Sequence, residues 1–385
     1  MKVIIHRGPD SAGKYVNDQV ALGFRRLSII DLENGSQPMF NEDGEVGIVF
    51  NGEIYNSPEL RERFQAKGHV FKNSSDTETL VHGYEEYGEK LVHELRGMFG
   101  FAIWDNKKKR LFMARDFFGI KPVYYAMIRG NLVFGSEIKS ILEFPGFKKE
   151  VNNEALEEYL SFQYSNLPET FFKGVYRLLP GHYLTYQNGE LNVTQYFDPT
   201  LEPVSKDSQE ELVKKLTNVL EDSVDKHMLA DVEVGAFLSS GVDSSYIAAK
   251  YSGKKTFTVG FFDKNNQYSE TQYAEECAKF LGLENYSHQI TEEEYWGEMP
   301  KIMYHMDEPL ADPAAIALYF VAREAAKQVK VVTSGEGADE FFGGYTIYRE
   351  PLSLRWISWL PKSWRKSMAN LAEKLPEGMK GRSYL

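Results

Sequence analysis

The segment from Val234 to Ser245 constrains the fold of this 385-residue chain more than any other. An apolar run, Val234-Gly235-Ala236-Phe237-Leu238, passes through Ser239-Ser240-Gly241 into Val242-Asp243-Ser244-Ser245. A short continuous apolar run bounded by small turn residues reads as a strand buried on both faces. Downstream, the pattern predicts a helix from about Ser244, a strand over Thr256 to Phe262, a helix over about Ser269 to Leu281 and a strand near Tyr286 to Ile290. Helices across 291–328 and a strand over Val329 to Thr333 follow. Strands separated by helices imply a doubly wound, mostly parallel sheet, whose ligand sites lie beyond the carboxyl ends of its strands. Upstream, Ser208 with Glu211 forms a capping box, and Leu212, Leu216, Val219 and Val224 supply the stripe of a helix.

The first half is built differently. From Val20 to about Phe197, short runs rich in Val, Ile, Phe and Tyr alternate with turn clusters such as Asn41-Glu42-Asp43-Gly44. Helical patterns interrupt them at roughly Pro58 to Ala66, Asp76 to Tyr87 and Asn153 to Phe162, which makes this half α+β. Asp198 to Asp207, with Pro199 and Pro203, reads as a linker because proline resists helix continuation and central strand pairing. The expected organisation is a domain over 1–197, a linker over 198–207 and a second domain over 208–385, in keeping with a length that exceeds one hydrophobic core.

Charge and cysteine content narrow the function. A net charge of -12 repels a phosphate backbone, so nucleic acid is not an expected partner. The one cysteine, Cys277, can form neither an internal disulfide nor a cysteine-based metal cluster, and its helical spacing gives it a packing role. No apolar run is long enough to span a bilayer, and Met1 to His6 lacks the centre of a signal peptide, so a cytoplasmic protein without a membrane partner is expected. Trp356, Trp359 and Trp364 in the segment Pro351 to Leu385 are read as a core helix whose packing partners are expected in a continuation of the chain, rather than a membrane-surface one.

Two loops carry the chemistry. In Leu238 to Ser245, small residues let backbone amides approach a pyrophosphate, the helix N-terminus adds partial positive charge, and hydroxyls add donors. Asp243 opposes a bare anion, which makes sense if a divalent cation bridges carboxylate and phosphate. The same residue types also cap helices whatever their function. The second loop, Ser334-Gly335-Glu336-Gly337-Ala338-Asp339-Glu340, leaves the strand ending at Thr333; it is either a solvated acidic turn or, in a parallel sheet, the other half of the site, with Asp339 joining Asp243 on magnesium. The run Asp307-Glu308-Pro309-Leu310-Ala311-Asp312-Pro313 is either a wall of that site or a plain turn before a helix near Ala314.

Taken together, these two loops resemble the synthetase domain of asparagine synthetases, in the PP-loop ATP-pyrophosphatase superfamily. Ser240 replaces the middle glycine of the Ser-Gly-Gly-x-Asp-Ser pattern. The resemblance implies ATP contacts at Leu238, Ser239, Ser240, Gly241, Asp243, Ser244, Val259, Ser334 and Gly335. It implies Mg2+ ligands at Asp243 and Asp339, and Glu336 as a residue needed for adenylation. The reaction it implies is attack of an aspartate carboxylate on the ATP α-phosphate, giving β-aspartyl-AMP, from which ammonia displaces AMP.

The first half is similar to class II glutamine amidotransferase domains, of the Ntn-type αββα fold. The similarity is carried by His6-Arg7-Gly8-Pro9-Asp10, Arg26-Leu27-Ser28-Ile29-Ile30-Asp31, Asn51-Gly52-Glu53-Ile54-Tyr55-Asn56, Ser75-Asp76-Thr77-Glu78 and Arg115 to Pro122. It implies a glutamine site of Arg26, Asn51, Gly52, Glu53 and Asp76, with Asn51 and Gly52 as the oxyanion hole. Family members use an N-terminal cysteine as nucleophile, where this sequence begins Met1-Lys2, so a chain clipped at both ends and without glutaminase activity is expected. Aspartate and glutamine or ammonia are the expected substrates, and a homodimer the expected assembly. The alternatives are a β-lactam synthetase-like ligase and a non-catalytic nucleotide-binding fragment.

Overall fold

The computed structural model describes residues 1–200, 205–239, 241–262, 270–349, 352, 355 and 359–372. The first half begins with strands β1 (Ser11–Val16), β2 (Ala21–Arg26), β3 (Met39–Phe40) and β4 (Val46–Ile54), then helices α1 (Ser57–Ala66) and α2 (Asp76–Tyr87). Next come β5 (Gly97–Asp105), β6 (Arg110–Arg115), β7 (Tyr124–Ile128), β8 (Asn131–Gly135), α3 (Ile138–Leu142) and α4 (Asn153–Phe162). Strands β9 (Val175–Arg177), β10 (His182–Gln187) and β11 (Glu190–Gln195) complete it.

Six antiparallel strands, in the order β11-β10-β6-β5-β4-β3, form the main sheet. Successive side chains on a strand point to opposite faces, so the near-continuous apolar runs of β4, β5 and β6 require cover on both sides. On one face Ile48, Phe101 and Phe112 pack against Leu60, Phe64 and Leu80 of α1 and α2. On the other, Val49, Trp104 and Met113 meet Leu22, Phe24 and Tyr125. That second β layer is divided into a two-stranded β1-β2 sheet and a three-stranded β8-β7-β9 sheet. Its outer side is closed by Ile138 and Ile141 of α3 against Ala126 and Ile128. The layering is α-β-β-α, and each fully buried Phe or Leu contributes roughly 1.5–3 kcal/mol to holding it together.

The second half runs α5 (Gln209–His227), β12 (Val234–Phe237), α6 (Val242–Lys250), β13 (Lys255–Phe261), α7 (Thr271–Leu281), β14 (Glu284–Ile290) and α8 (Glu292–Met306). Helix α9 (Pro313–Ala325), strand β15 (Val331–Thr333), helix α10 (Ala338–Phe342) and a last helix, Lys362–Ala372, follow. The strands are all parallel in the order β14-β13-β12-β15. Val224 of α5 and Ile247 of α6 cover one face of the sheet, with Ala274 and Ala278 of α7 beside them. Val321 and Ala325 of α9 cover the other, against Phe257. The doubly wound sheet is therefore present. From β12 the chain steps outward to β13 and β14, then crosses back to β15 on the other side of β12. The loops after β12 and β15 thus flank a topological switch point, where open α/β sheets bind ligands.

The capping box is present, with Ser208 Oγ accepting from Glu211 N and the Glu211 carboxylate accepting from Ser208 N. The stripe expected along that helix is only partly right. Leu216 and Val219 are 45% and 64% exposed, because only the C-terminal part of α5, at Val224, lies over the sheet. Trp359 and Trp364 are exposed in this chain; Trp356 lies outside the described residues.

The acidic run Asp307 to Pro313 divides into two parts. Asp312 caps α9 by accepting from Ala314 N at 2.9 Å, as the turn reading requires. Asp307 and Glu308 instead clasp the two halves of the chain. Asp307 accepts from Ile138 N and from the Lys139 ammonium, both at 2.8 Å, and Glu308 accepts from Phe171 N at 2.9 Å and from Arg177 at 3.0 Å. Neither residue lines the cavity between the two loops described next.

Candidate functional site

Beyond the C-terminal ends of β12 and β15 lies a cavity of about 370 Å³. The first loop contributes Leu238, Ser239, Gly241, Asp243 and Ser244 to it, and β13 contributes Val259. The second loop contributes Ser334, Gly335, Glu336 and Asp339. Every residue expected at the nucleotide and metal site is therefore brought together except Ser240, which lies outside the described residues.

The first loop is laced by its own hydroxyls. Ser239 N donates to Ser244 Oγ at 3.1 Å, the two hydroxyl oxygens are 3.0 Å apart, and Ser244 Oγ donates to the Gly241 carbonyl at 3.2 Å. Leu238 is buried and its N–H donates to the Phe257 carbonyl, which fixes where the loop departs from the sheet. Gly241 is the N-cap of α6 without a side-chain cap, so the first-turn N–H groups of that helix are available to an anion. The second loop packs directly on this turn: a β-carbon at Gly335 would lie 3.2 Å from Ser244 N and from Asp243 Cβ. Among the described residues, Asp243, Glu336 and Asp339 form no ion pair, so their carboxylate oxygens remain open to a cation. Hard oxygen donors of this kind fit Mg2+.

Sequence reasoning missed the wall opposite the loops. Ala314, Ala317, Leu318 and Val321 of α9 line the cavity. Their i, i+3, i+4, i+7 spacing was the available signal, and it marks one helix face continuing from the core into the cavity.

A second cavity, of about 380 Å³, opens at the edge of the main sheet in the first half. Arg26, Asn51, Gly52, Glu53 and Asp76, the residues expected to hold glutamine, all line it. Arg26 is buried and donates to the carbonyls of Ile30, Asp31 and Leu32 at 3.0, 2.6 and 3.2 Å. Three of its five N–H groups are thereby used to fix the guanidinium, and the rest stay free. Asp76 opens α2 and accepts from Ile54 N at 3.0 Å. Asn51 Nδ2 is buried without a hydrogen-bond partner, an orphaned donor of the kind an oxyanion site requires. Gly52 has φ 153°, and a β-carbon there would meet the Met98 carbonyl oxygen at 2.0 Å. Only glycine fits this place in β4.

The electrostatics of this pocket are strained. Burial, and then the neighbouring Asp76 charge, pushes the Glu53 carboxyl up to about 9. Burial also raises Asp76, against the pull of its backbone hydrogen bonds. Lys121, to which sequence reasoning gave no role, lines the same pocket; burial and then Arg7 push its ammonium below the usual lysine range. Hydrogen bonds from Arg115 and to Asp116 fix the backbone from which it projects. Arg115 donates to the carbonyls of Lys121, Leu178 and Gly119, while the Asp116 carboxylate accepts from the N–H groups of Phe99, Phe118, Ile120 and Lys121. Cys277 lies elsewhere, packed between α6 and α7 with its sulfur 3.6 Å from Ser245 Oγ.

Comparison with known proteins follows the same division. Residues 1–197 match the family model described as a glutamine amidotransferase domain, and residues 215–384 the one described as asparagine synthase. The chain is 48% identical over its whole length to the glutamine-hydrolysing asparagine synthetase 1 of Bacillus subtilis, and it spans 61% of that protein. It is 33% identical, over 94% of its length, to a protein named provisionally as glutamine-hydrolysing asparagine synthetase 2 in Methanocaldococcus jannaschii, of which it spans 74%. Among solved structures, the glutamine phosphoribosylpyrophosphate amidotransferase of B. subtilis complexed with ADP and GMP aligns with a TM-score of 0.36 at 15% identity, covering 74% of this chain and 61% of that one.

Proposed function

The chain belongs to the family of glutamine-hydrolysing asparagine synthetases, and on that premise we propose that its second half activates aspartate with ATP and converts it to asparagine. The supporting observation is the convergence of both loops, with three unpaired carboxylates, at the switch point of the parallel sheet. A carboxylate is a poor acceptor of ammonia until one oxygen becomes a good leaving group. Transfer of AMP from ATP to the aspartate β-carboxylate achieves this, and ammonia then displaces AMP.

In this reading the α6 N-terminus and the Ser239 and Ser244 hydroxyls hold the pyrophosphate portion of ATP. Val259, Ser334 and Gly335 hold the rest of the nucleotide. Asp243 and Asp339 would hold Mg2+, which when bound neutralises charge on the departing pyrophosphate. Glu336, exposed at the mouth, serves the adenylation step.

The first half is proposed to bind glutamine as nitrogen source. The free N–H groups of Arg26 take the α-carboxylate, and Asp76 with Glu53 takes the α-ammonium, which supplies the counter-charge these two buried carboxyls lack. Asn51 Nδ2 and the Gly52 N–H face the amide oxygen as it gains charge. A cytoplasmic location and a homodimeric assembly belong to the same reading; light scattering tests the second.

Pyrophosphate release measured with ATP, Mg2+, aspartate and ammonium tests the synthetase reading. Release that depends on aspartate supports it. Release with a different amino acid only would turn the reading to a β-lactam synthetase-like ligase, and ATP binding without release to a nucleotide-binding protein.

A further inference from the structure

A cluster on the far side of α2 plays no part in either cavity. His82 stands in the second turn of α2, His69 in the loop between α1 and α2, and Glu42 in the turn joining β3 to β4. One ligand atom from each lies within 4.8 Å of the other two. The Nδ1 atoms of His69 and His82 face one another at 3.1 Å. Glu85 Oε2 is 3.1 Å from His82 Nδ1 and 3.6 Å from His69 Nδ1, and Glu42 Oε2 is 3.8 Å from His82 Nδ1. We propose that Glu42, His69 and His82, with Glu85, bind a divalent transition-metal ion, zinc by the character of the donors.

The geometry suits that ion. Tetrahedral zinc with bonds of about 2.0–2.2 Å to nitrogen and oxygen sets its donors about 3.3–3.6 Å apart; the four separations above, 3.1 to 3.8 Å, bracket this range, and Glu42 and His69 lie within 4.8 Å of one another. The two imidazoles are borderline donors, and their presence beside the harder carboxylates favours zinc over magnesium or calcium, which take oxygen donors.

The surrounding contacts aim the donors inward. Glu86 Oε1 lies 3.0 Å from His69 Nε2 and holds the ring proton there, which leaves the Nδ1 lone pair free for a metal. Glu78 stands 4.0 Å from His82 Nε2, which is buried without a hydrogen-bond partner. Of the carboxylates, Glu42 Oε1 accepts from Val70 N and Glu85 Oε1 from Asn41 Nδ2, so each presents its Oε2 to the centre. Phe71 packs on the His82 ring at 4.5 Å. The His82 side chain is 1% exposed and that of Glu42 38%, so an ion reaches a buried donor from an open side. Bound there, it would pin the α1–α2 loop and the β3–β4 turn onto α2, the helix that begins with Asp76 of the glutamine pocket.

The two imidazoles could instead share a proton, and the experiment separates these cases. The purified chain is stripped with a chelator, loaded with ZnCl2, desalted and assayed for metal, with thermal unfolding followed in parallel. Because Asp243 and Asp339 also offer oxygen donors, the parent for this test carries Asp243→Asn and Asp339→Asn. A single equivalent of zinc should survive desalting and raise Tm by about 3–8 °C. His69→Ala and Glu42→Gln, at donors less buried than His82, should each weaken zinc binding by about tenfold or more. Cobalt(II) in place of zinc should give the intense visible bands of a tetrahedral site. No retained zinc, or retention in His69→Ala equal to the parent, overturns the proposal. If His69→Ala unfolds, Glu42→Gln decides by the same criterion.

Discussion

The two cavities are built on opposite principles. Around the proposed glutamine pocket, Arg26, Glu53 and Asp76 are each less than a tenth exposed, and Arg26 and Asp76 are already committed to backbone hydrogen bonds. Around the nucleotide cavity, Ser239, Gly241, Asp243 and Glu336 are exposed, and the loops bond chiefly to themselves. A site for a small zwitterion gains by holding its donors in place before the ligand arrives. A site for ATP and a metal can leave its carboxylates solvated, because the ligand and cation bring their own compensating charge. The first site should therefore couple binding to stability, whereas the second should not.

The largest expected effect tests that contrast on glycines. Gly52→Ala places a methyl against the Met98 carbonyl at a φ that L residues rarely adopt, and should cost about 3 kcal/mol or more in urea unfolding. Gly241→Ala, at an ordinary φ of −65° with no atom closer than 3.4 Å, should cost less than about 1 kcal/mol. Equal losses would break the comparison.

Carboxylates sharpen it further. Asp339→Ala should abolish Mg2+-dependent ATP binding in calorimetric titration, a loss of at least about 100-fold or 2.7 kcal/mol, with Tm unchanged. Asp76→Ala should weaken glutamine binding and also lower stability by about 1–3 kcal/mol, since it removes the buried acceptor of Ile54 N. ATP binding retained by Asp339→Ala would sink the two-aspartate assignment.

A smaller effect is visible in pH. A carboxyl whose folded pKa lies above its unfolded value stabilises the folded state fully below the unfolded pKa, and that contribution is lost as pH rises through the folded one. For Glu53, pushed up to about 9, the loss runs from the ordinary glutamate range to about pH 9. Glu53→Gln should therefore flatten the fall in Tm between pH 5 and 9, and be about 1–2 kcal/mol more stable than the parent at the alkaline end. Parallel curves for the two proteins would remove the strained carboxyl from the account. Smallest of all, Cys277→Ser should leave nucleotide binding intact and stability within about 1 kcal/mol, because a hydroxyl can fill the same place between α6 and α7 and keep the contact with Ser245 Oγ.

Much of both sites was legible in the sequence, and the part that was not has a common cause. The strand-to-helix step at Val234 to Ser245 and the glycines and carboxylates after Thr333 announce themselves locally. Periodicity and turn chemistry act over a few residues and survive in any window that contains them. The same holds for α2, expected and found over Asp76 to Tyr87. The stripe of α5 failed at Leu216 and Val219 because periodicity reports which face is apolar, and only packing decides how much of that face finds a partner.

By itself, then, the sequence determined the alternation of strands and helices, the two loops at the strand ends, and the residues that line the two cavities. Tertiary structure alone decided that Asp307 and Glu308 bind Lys139 and Arg177, more than a hundred residues away, instead of lining a site. It also decided that Glu53 loses its solvent beside Asp76, that Lys121 enters the glutamine pocket, and that His69 and His82 meet across a helix and a loop. Burial and encounters between distant segments follow from how elements pack, and the free energy of a charge depends on exactly those surroundings, which no local stretch of sequence contains.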